Sequence, residues 1–478
     1  MKTRMTAAAV SLCVLLAAVP AAASANSGPV YWENTPSFSV MPLKDCPVTV
    51  EREDLSFDFS GNRDGHYSPM AEVTAVYRMK NPTGKAVEVQ TAFPLIASLP
   101  DIAPTEDERQ GVPVIGDTLS ISVDGKEVPF ETFPGVGMPE AGVSRNYYTE
   151  NGGLVKTSLP GFDAVLKSID VGNSKQKIVT GSGQRYDVTA EQGGGVQVQT
   201  SGKNTYLLSC GFNGMSSNGS SVTLSANDLK KGESVSFLAL GGEAAVTSIS
   251  PDGKPNPAGK LQIRKTACTV DTYVQEMIRE SRVCRADQSE SLFSHLVPRV
   301  EDSMESFFAS GNHEYGDNDL YDFLQQQHLI VLCFETQFPA GGERTVTVKY
   351  AMSGSMDSVK TQKPVYSYAY LLNPAKGWAG FRNLNIRIVP PREAPNLVAG
   401  SLSFKKSPGG AYTASLPSLP QNDLTFSLCE SPRVEPKQTG LGGGTLFLLC
   451  AAALAVIVAV CLTVRSLRKR KRKREQGG

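Results

Sequence analysis

A run of 20 apolar residues near the C-terminus constrains this chain more than any other feature of its sequence. Residues 445–464 read TLFLLCAAALAVIVAVCLTV and carry no charge. A helix of this length spans the hydrocarbon core of a bilayer, and its backbone groups bond within the helix. A core helix of a globular domain would show a polar stripe, which this run lacks. The sequence therefore predicts one transmembrane helix at 445–464.

A strongly basic tail at 465–478 follows the predicted span and sets its orientation. Its eight basic residues are Arg465, Arg468, Lys469, Arg470, Lys471, Arg472, Lys473 and Arg474. Basic residues beside a span mark the cytoplasmic side of the membrane and are attracted to anionic lipid headgroups. We therefore expect the tail to lie in the cytoplasm against the lipid bilayer, with the ectodomain outside the cell.

The first 25 residues have the three parts of a secretory signal peptide. Lys2 and Arg4 precede an apolar stretch at 7–19, and small residues end at Ala25. Because the apolar stretch is shorter than a membrane span, removal by a signal peptidase is favoured over retention as an anchor. We expect cleavage between Ala25 and Asn26, which leaves a type I protein of the plasma membrane.

The C-terminal layout also has a second interpretation. Residues 436–440 read PKQTG and precede the apolar run and the basic tail. This order resembles the cell-wall sorting signal of Gram-positive surface proteins, whose pattern is LPxTG. Lys437 stands where that pattern has proline, and Pro436 stands where it has leucine. Attachment to the cell wall after cleavage at Thr439 therefore stays open beside a retained anchor.

The formal net charge of zero conceals an acidic ectodomain. Without the basic residues of the signal peptide and the tail, and without Glu475, the chain has 37 basic and 46 acidic residues. Nucleic acids and other polyanions bind through clustered lysine and arginine. The composition therefore argues against nucleic acid as a partner.

The ectodomain is predicted to be mainly β, with one helical insert. Short alternating segments with turn residues between them recur over 26–265 and again over 329–430, as in β-sandwich domains. Helical periodicity occurs only within 269–327. Residues 431–444 are rich in Pro, Gly and Lys and are predicted to form a stalk. The predicted fold is thus a tandem, Ig-like pair of β-sandwiches with a helical insert.

Two turns predict β-hairpins. Asp124 and Gly125 lie between two alternating runs, which is the pattern of a type I′ turn. The sequence NPTG at 81–84 likewise separates two alternating runs. We expect each turn to join two paired strands.

The segments MKNPTGKAVEVQTAFP at 79–94 and TQFPAGGERTVTVKY at 336–350 share a layout of strand, turn and strand. They are similar to segments of uncharacterised membrane-anchored, cell-surface β-sandwich proteins of Gram-positive bacteria. That resemblance implies a fold and a surface location. It implies no function for individual residues.

Six cysteines fall in the predicted ectodomain: Cys46, Cys210, Cys268, Cys284, Cys333 and Cys429. An oxidising compartment permits disulfides among them, and the sequence leaves their pairing open. No CxxC pair occurs, so a structural zinc site is not expected.

The remaining polar residues predict no catalytic site, cofactor or metal. The histidines are His66, His295, His313 and His328, and we expect each to be a surface or helix-end residue. They are too scattered for an HExxH pair, and no GxSxG elbow is present. The acidic group at 317–322 lacks calcium-loop spacing and is expected to be solvated or to cap a helix.

Aromatic residues offer the best candidate for a binding surface. They are Tyr31, Trp32, Tyr147, Tyr148, Tyr366, Tyr368, Tyr370 and Trp378. Such rings stack on sugars or anchor protein partners, although alternating tyrosines also fit the inner face of a strand. We expect a non-enzymatic surface protein that binds an extracellular protein or carbohydrate, or displays a domain. The alternatives are an extracellular hydrolase or metal-dependent enzyme, and a sensor or assembly subunit of a membrane complex.

Overall fold

The computed structural model of the chain describes most of the predicted ectodomain. The described residues are 23–25, 27–33, 39–42, 45–64, 68–103, 115–137, 147–148, 154–155, 162–169, 181–200, 202, 204–218, 221–281 and 289–437. The predicted span at 445–464 and the basic tail lie outside them, as do residues 1–22 and Asn26. Within the described ranges, no helix has both the length and the apolar character needed to cross a bilayer.

The described chain is mainly β. The strands up to residue 155 are β1 (Ala23–Ala25), β2 (Gly28–Glu33), β3 (Ser39–Pro42), β4 (Thr49–Asp64), β5 (Pro69–Lys80), β6 (Val87–Ser98), β7 (Ser120–Val123), β8 (Lys126–Glu127), β9 (Glu131–Gly137), β10 (Tyr147–Tyr148) and β11 (Leu154–Val155). The next strands are β12 (Ser182–Ala190), β13 (Gly194–Thr200), β14 (Tyr206–Cys210), β15 (Gly214–Ser217), β16 (Val222–Leu229), β17 (Ser234–Leu240), β18 (Ala244–Ile249) and β19 (Leu261–Thr269). The last strands are β20 (Glu314–Gly316), β21 (Gln327–Phe338), β22 (Glu343–Met352), β23 (Ser355–Asp357), β24 (Val365–Leu371), β25 (Gly380–Phe381), β26 (Leu384–Val389), β27 (Asn396–Gly400), β28 (Lys405–Lys406), β29 (Tyr412–Leu416) and β30 (Leu424–Cys429).

The longer helices lie within the predicted helical segment. The described helices are α1 (Leu99–Ile102), α2 (Ile115–Thr118), α3 (Phe162–Ser168), α4 (Val270–Glu280), α5 (Glu290–Ala309) and α6 (Asp317–Gln325), with a 3-10 turn at Asn373–Gly377. The hydroxyl of Thr269 accepts the Thr272 amide at 3.1 Å and caps α4. Pro298 lies inside α5. It removes one backbone bond, but the buried residues Leu296 and Val300 on either side hold the helix together.

Two large sheets face each other across one core. In sheet 1, with ten strands, β9 pairs with β21, β21 with β6, β6 with β1, β1 with β24, and β24 with β30. Sheet 2 has nine strands, eight of them in the order β28-β29-β26-β4-β5-β22-β7-β8. The ring of Phe57 on β4 lies 5.7 Å from Tyr370 on β24 and 5.1 Å from Phe426 on β30. Aromatic contacts of this kind join the two sheets.

The turn at 81–84 does not form the predicted hairpin. β5, before the turn, pairs in sheet 2 with β4 and β22, whereas β6, after it, pairs in sheet 1 with β21. The turn at 339–342 carries β21 in sheet 1 to β22 in sheet 2 in the same way. The two turns touch, because the Gly341 amide donates to the Thr83 carbonyl at 2.7 Å. The sequence favoured a hairpin because alternation and turn residues are the same in a hairpin and in an arch between sheets.

Strands from both predicted β regions pair with one another. From the C-terminal region, β21 pairs with β6 and β22 pairs with β5, and both partners belong to the N-terminal region at 26–265. In addition, β26 pairs in parallel with β4. The predicted regions follow the order of the chain, whereas the pairing crosses it. Alternation identifies which face of a strand is buried, but it does not identify the neighbouring strand.

The predicted hairpin at Asp124 and Gly125 is confirmed. It joins β7 to β8, with Val123 opposite Lys126. Asp124 has a φ of 51° and Gly125 a φ of 79°. Two positive φ values are what a type I′ turn requires.

Residues 182–269, which we call the two-sheet module, form a second pair of sheets, to which β20 adds one edge strand. Sheet 3 has the order β19-β12-β17-β14-β20 and sheet 4 the order β15-β16-β13-β18. Leu207 packs into the core between sheets 3 and 4, whereas its neighbour Leu208 packs on the opposite side, in the core shared with α4, α5 and α6. Sheet 3 is therefore buried on both faces. The helices α4, α5 and α6, which we call the helical layer, lie between sheet 3 and sheet 1.

Candidate functional site

The helical layer meets sheet 1 through polar side chains on α5. Ser291, His295 and Arg299 are spaced four residues apart and therefore lie on one face of the helix. The Thr132 amide of β9 donates to the Ser291 hydroxyl at 2.9 Å, and Arg299 Nε donates to the Pro134 carbonyl at 3.3 Å. Backbone groups of an edge strand are thus bonded by side chains of a helix.

His295 and Glu131 form an acid–base pair within this contact. His295 Nε2 lies 3.2 Å from the Glu131 carboxylate, and the ring stacks on Phe133 with centroids 3.9 Å apart. Burial lowers the pKa of His295, although the Glu131 carboxylate opposes this shift. The Glu131 carboxylate holds the His295 ring in one orientation, and the pair attaches α5 to β9.

Arg299 is buried, with 2% of its surface exposed. Its Nη1 donates to the Asp302 carboxylate at 3.1 Å. A buried charge is stable only when it is paired and bonded. Arg299 therefore serves the packing of α5 on β9.

His328 is fully buried where β21, β9 and α6 meet. Its Nδ1 lies 2.9 Å from the Gly135 carbonyl, and its Nε2 lies 2.8 Å from the Phe323 carbonyl. Both nitrogens can donate only when the ring is protonated. The two carbonyls favour that charged form, whereas burial has the larger effect and lowers the pKa of His328. The expectation of a surface or helix-end histidine is wrong at this position and also at His295, which is buried within α5. The apolar run LIVLCF that follows His328 was the signal of a buried strand that could have revealed it.

On the other side of the helical layer, Glu314 lies in β20, the short strand between α5 and α6 that joins sheet 3. β20 pairs in parallel with β14, with Glu314 opposite Leu207. The Ser209 hydroxyl donates to the Glu314 carboxylate. Burial raises the pKa of Glu314 to about 7; the Ser209 bond opposes this rise, and the charges of Asp319 and Asp317 add to it. Glu314 therefore changes charge near neutral pH.

Among the acidic residues at the start of α6, Asp319 caps the helix, as one of the two sequence interpretations predicted, whereas Asp317 bonds to the end of β14. The Gly316 amide donates to Asp319 at 2.8 Å, and the Gly211 amide donates to Asp317 at 3.0 Å. The N-cap residue itself is Gly316. Carboxylates in the first turn also interact favourably with the helix dipole.

An ion pair attaches α4 to sheet 3. Arg185 on β12 contacts Glu276 on α4, and its Nε donates to Asp187 at 2.9 Å. Close by, the Tyr273 hydroxyl of α4 lies 3.0 Å from the Ser236 hydroxyl of β17. The helical layer is thus bonded to a sheet on each side.

Five of the six predicted disulfide cysteines are described, and all five are free thiols. Cys46, Cys333 and Cys429 are buried in three separate clusters, and Cys210 and Cys268 lie partly buried in sheet 3. Burial raises the pKa of Cys210 to about 12, so this thiol stays protonated. Cys284 lies outside the described residues, and its pairing stays a prediction.

Three of the candidate aromatic residues lie in the core. Tyr368 and Tyr370 are fully buried, and the indole of Trp378 donates to the Ser27 carbonyl at 3.0 Å. These rings pack inward, as the alternative interpretation of their spacing allowed. The remaining predicted positions near the N-terminus lie in short strands, with Tyr31 in β2 and Ala25 at the end of β1.

No protein-family model and no curated protein matches the chain. Among solved structures, the chain is similar to a protein of Legionella pneumophila whose proposed role is nutrient binding. The identity is 10%, the TM-score is 0.31, and the match covers 85% of this chain and 71% of that chain. At this level of similarity we draw neither fold nor function from it.

Proposed function

We propose that this chain is a single-pass plasma-membrane protein whose extracellular β-rich ectodomain binds a protein or carbohydrate, or displays a domain, without catalysing a reaction. The apolar run at 445–464 is the anchor, and the basic tail rests on the cytoplasmic lipid surface. In this proposal the two pairs of sheets act as Ig-like β-sandwiches with the helical layer as the insert between them.

The observation that carries the proposal is the distance between the stalk and the two-sheet module. The start of the predicted stalk is bonded to the segment that precedes β24. The Gln362 amide donates to the Glu435 carbonyl at 2.9 Å, and the Lys437 amide donates to the Lys360 carbonyl at 2.8 Å. The helical layer instead contacts β9, four strand positions away in sheet 1; one of these positions is β1 (Ala23–Ala25), which the proposed cleavage after Ala25 removes. At about 4.8 Å per strand, the separation is roughly 19 Å. The arrangement supports a module held away from its membrane attachment.

The polar contacts where the helical layer meets sheets 1 and 3 support a role in holding rather than in catalysis. His328 and Arg299 bond to backbone carbonyls of β9, and Glu314 bonds to a hydroxyl of sheet 3. A catalytic group needs its reactive atom directed at a substrate. These groups instead direct their atoms at neighbouring elements of the fold.

The intact mass of the native protein, measured separately in membrane and cell-wall extracts, tests the anchor. We expect a detergent-soluble species that begins at Asn26 and ends at Gly478. A control variant that ends at Lys437 should be released into the medium, because it lacks the span. A wall-linked form that ends at Thr439 would contradict the retained anchor in favour of sorting.

Binding of the purified ectodomain to protein and carbohydrate arrays tests the binding role. An antibody fragment raised against 182–269 should block a ligand held by the two-sheet module. A fragment raised against the loop between β28 and β29 in sheet 2 is the matched control and should leave binding intact. Chemical conversion of an array ligand by the protein would contradict the non-catalytic role.

A further inference from the structure

We infer that the contact between β20 and β14 is a proton-controlled latch, which holds the two-sheet module to the helical layer at acidic pH and loosens as the pH rises. The latch does not depend on which ligand the module binds. The inference concerns only how the two-sheet module is attached to the helical layer.

The latch is a short parallel strand pair. The three residues of β20 lie beside Leu207, Leu208 and Ser209 of β14, at one edge of sheet 3. So few strand bonds give little stability by themselves. The side chain of Glu314, which is 8% exposed, supplies the added contact through the hydroxyl of the buried Ser209.

The surroundings of Glu314 are mostly acidic. The charged and titratable groups around the latch are Asp317, Asp319 and Asp322 on α6, Glu280 on α4, Arg185 and Cys210 in sheet 3, and His313 before β20. Asp317 and Asp319 act directly on Glu314. Arg185 is already paired with Asp187 and Glu276. An ionised Glu314 is therefore buried beside like charges, which is unfavourable.

The sign of the pH effect follows from the raised pKa of Glu314. The carboxyl has a pKa of about 7 in the closed latch and an ordinary value of 4.5 when it is exposed. The closed form therefore binds the proton more tightly. Its stabilisation is fully present below pH 4.5 and is lost as the pH rises through 7. Above that, the closed latch must hold a buried carboxylate.

Hydrogen exchange of the full chain in detergent, read by mass spectrometry, measures the opening of the latch. After correction for intrinsic exchange rates, peptides from β14 and β20 should open about 30-fold more between about pH 5.5 and pH 8, given the two pKa values. The Glu314→Gln variant should lose this dependence, because its side chain is neutral. Glu335→Gln, at an exposed carboxylate on β21, is the matched control and should keep it.

Two further variants decide the outcome even if Glu314→Gln does not fold. Asp317→Asn removes a like charge, which stabilises the ionised closed latch, and should reduce the rise in opening between pH 5.5 and pH 8. Ser209→Ala removes a bond that stabilises the carboxylate and should enlarge that rise. Opening that stays constant with pH in the native chain, or a rise between pH 5.5 and pH 8 that neither variant changes, would overturn the inference.

Discussion

Arg299 carries a charge in a place from which water is excluded, so its free energy depends on the partners it keeps. We expect Arg299→Met to lower the free energy of unfolding by about 3 kcal/mol, because the partly buried Asp302 loses its cation and the Pro134 carbonyl loses its donor. Arg264→Met is the matched control. Arg264 pairs with Asp187 but is 72% exposed, and the expected loss is below about 1 kcal/mol.

Chemical denaturation of the purified chain measures both losses at Arg299 and Arg264. Equal effects of the two substitutions would mean that burial does not set the strength of these ion pairs.

Single residues differed in how far the sequence predicted them. The turn at Asp124 and Gly125 and the cap that Asp319 provides at the start of α6 are local, and their patterns were visible in the sequence. Glu314 was not identified, because it lies in a strand that pairs with β14, and its hydrogen-bond partner Ser209 is 105 residues earlier in the chain. Burial of a polar residue inside a polar segment leaves no periodic trace.

At the scale of elements, the two arches between sheets depend on Asn81. This side chain is fully buried, and its amide donates to the Lys85 carbonyl at 2.7 Å and to the Pro339 carbonyl at 3.0 Å. Its oxygen accepts the Thr83 amide at 3.0 Å. The one side chain therefore fixes the first arch and bonds it to the second.

We expect Asn81→Ala to lower the free energy of unfolding by about 2–4 kcal/mol, because it leaves buried backbone groups without partners. Asn213→Ala is the matched control, since Asn213 makes a similar turn contact to the Asn227 amide at 3.1 Å but is exposed. Its expected cost is about 0.5 kcal/mol. Denaturant titration of both variants measures the difference. A cost at Asn81 no larger than at Asn213 would show that the arches do not rely on it.

The positions of helices and strands were largely predictable, whereas their neighbours were not. The apolar period of 270–278 predicted α4, and the alternation in 71–79 predicted β5. The change of sheet at 81–84 follows from the pairing of β6 with β21, which no local pattern records.

At the scale of the whole molecule, the two-sheet module is not self-sufficient. Leu208, Leu238 and Leu240 on sheet 3 pack against the helical layer. A fragment of residues 181–269 should therefore expose them and self-associate. Threonine at these three positions should keep the fragment monomeric, because threonine suits a solvent-facing strand.

Sedimentation of the two fragments measures their association. Leu207→Thr is the control, since Leu207 faces the core between sheets 3 and 4, and this substitution should unfold the fragment. A monomeric unmodified fragment would contradict the packing of sheet 3 on the helices.

The membrane topology proposed here rests on the two ends of the sequence, and the mainly β class rests on alternation and turns. The interleaving of sheets 1 and 2 could not be predicted in the same way. It arises because the two-sheet module and the helical layer are inserted between strands that pair with each other.

The pairing of β6 with β21 also bears on how the protein is made. Gln90 and Glu335, which lie opposite each other and share a 3.2 Å hydrogen bond, are 245 residues apart in the chain. Such a high contact order slows folding, and an apolar strand that has not yet paired is prone to aggregate. In the proposed export, β6 would emerge long before β21 is outside the membrane. If the ectodomain is exported as proposed, we expect the nascent chain to need protection by chaperones at the cell surface until its last third has been translocated.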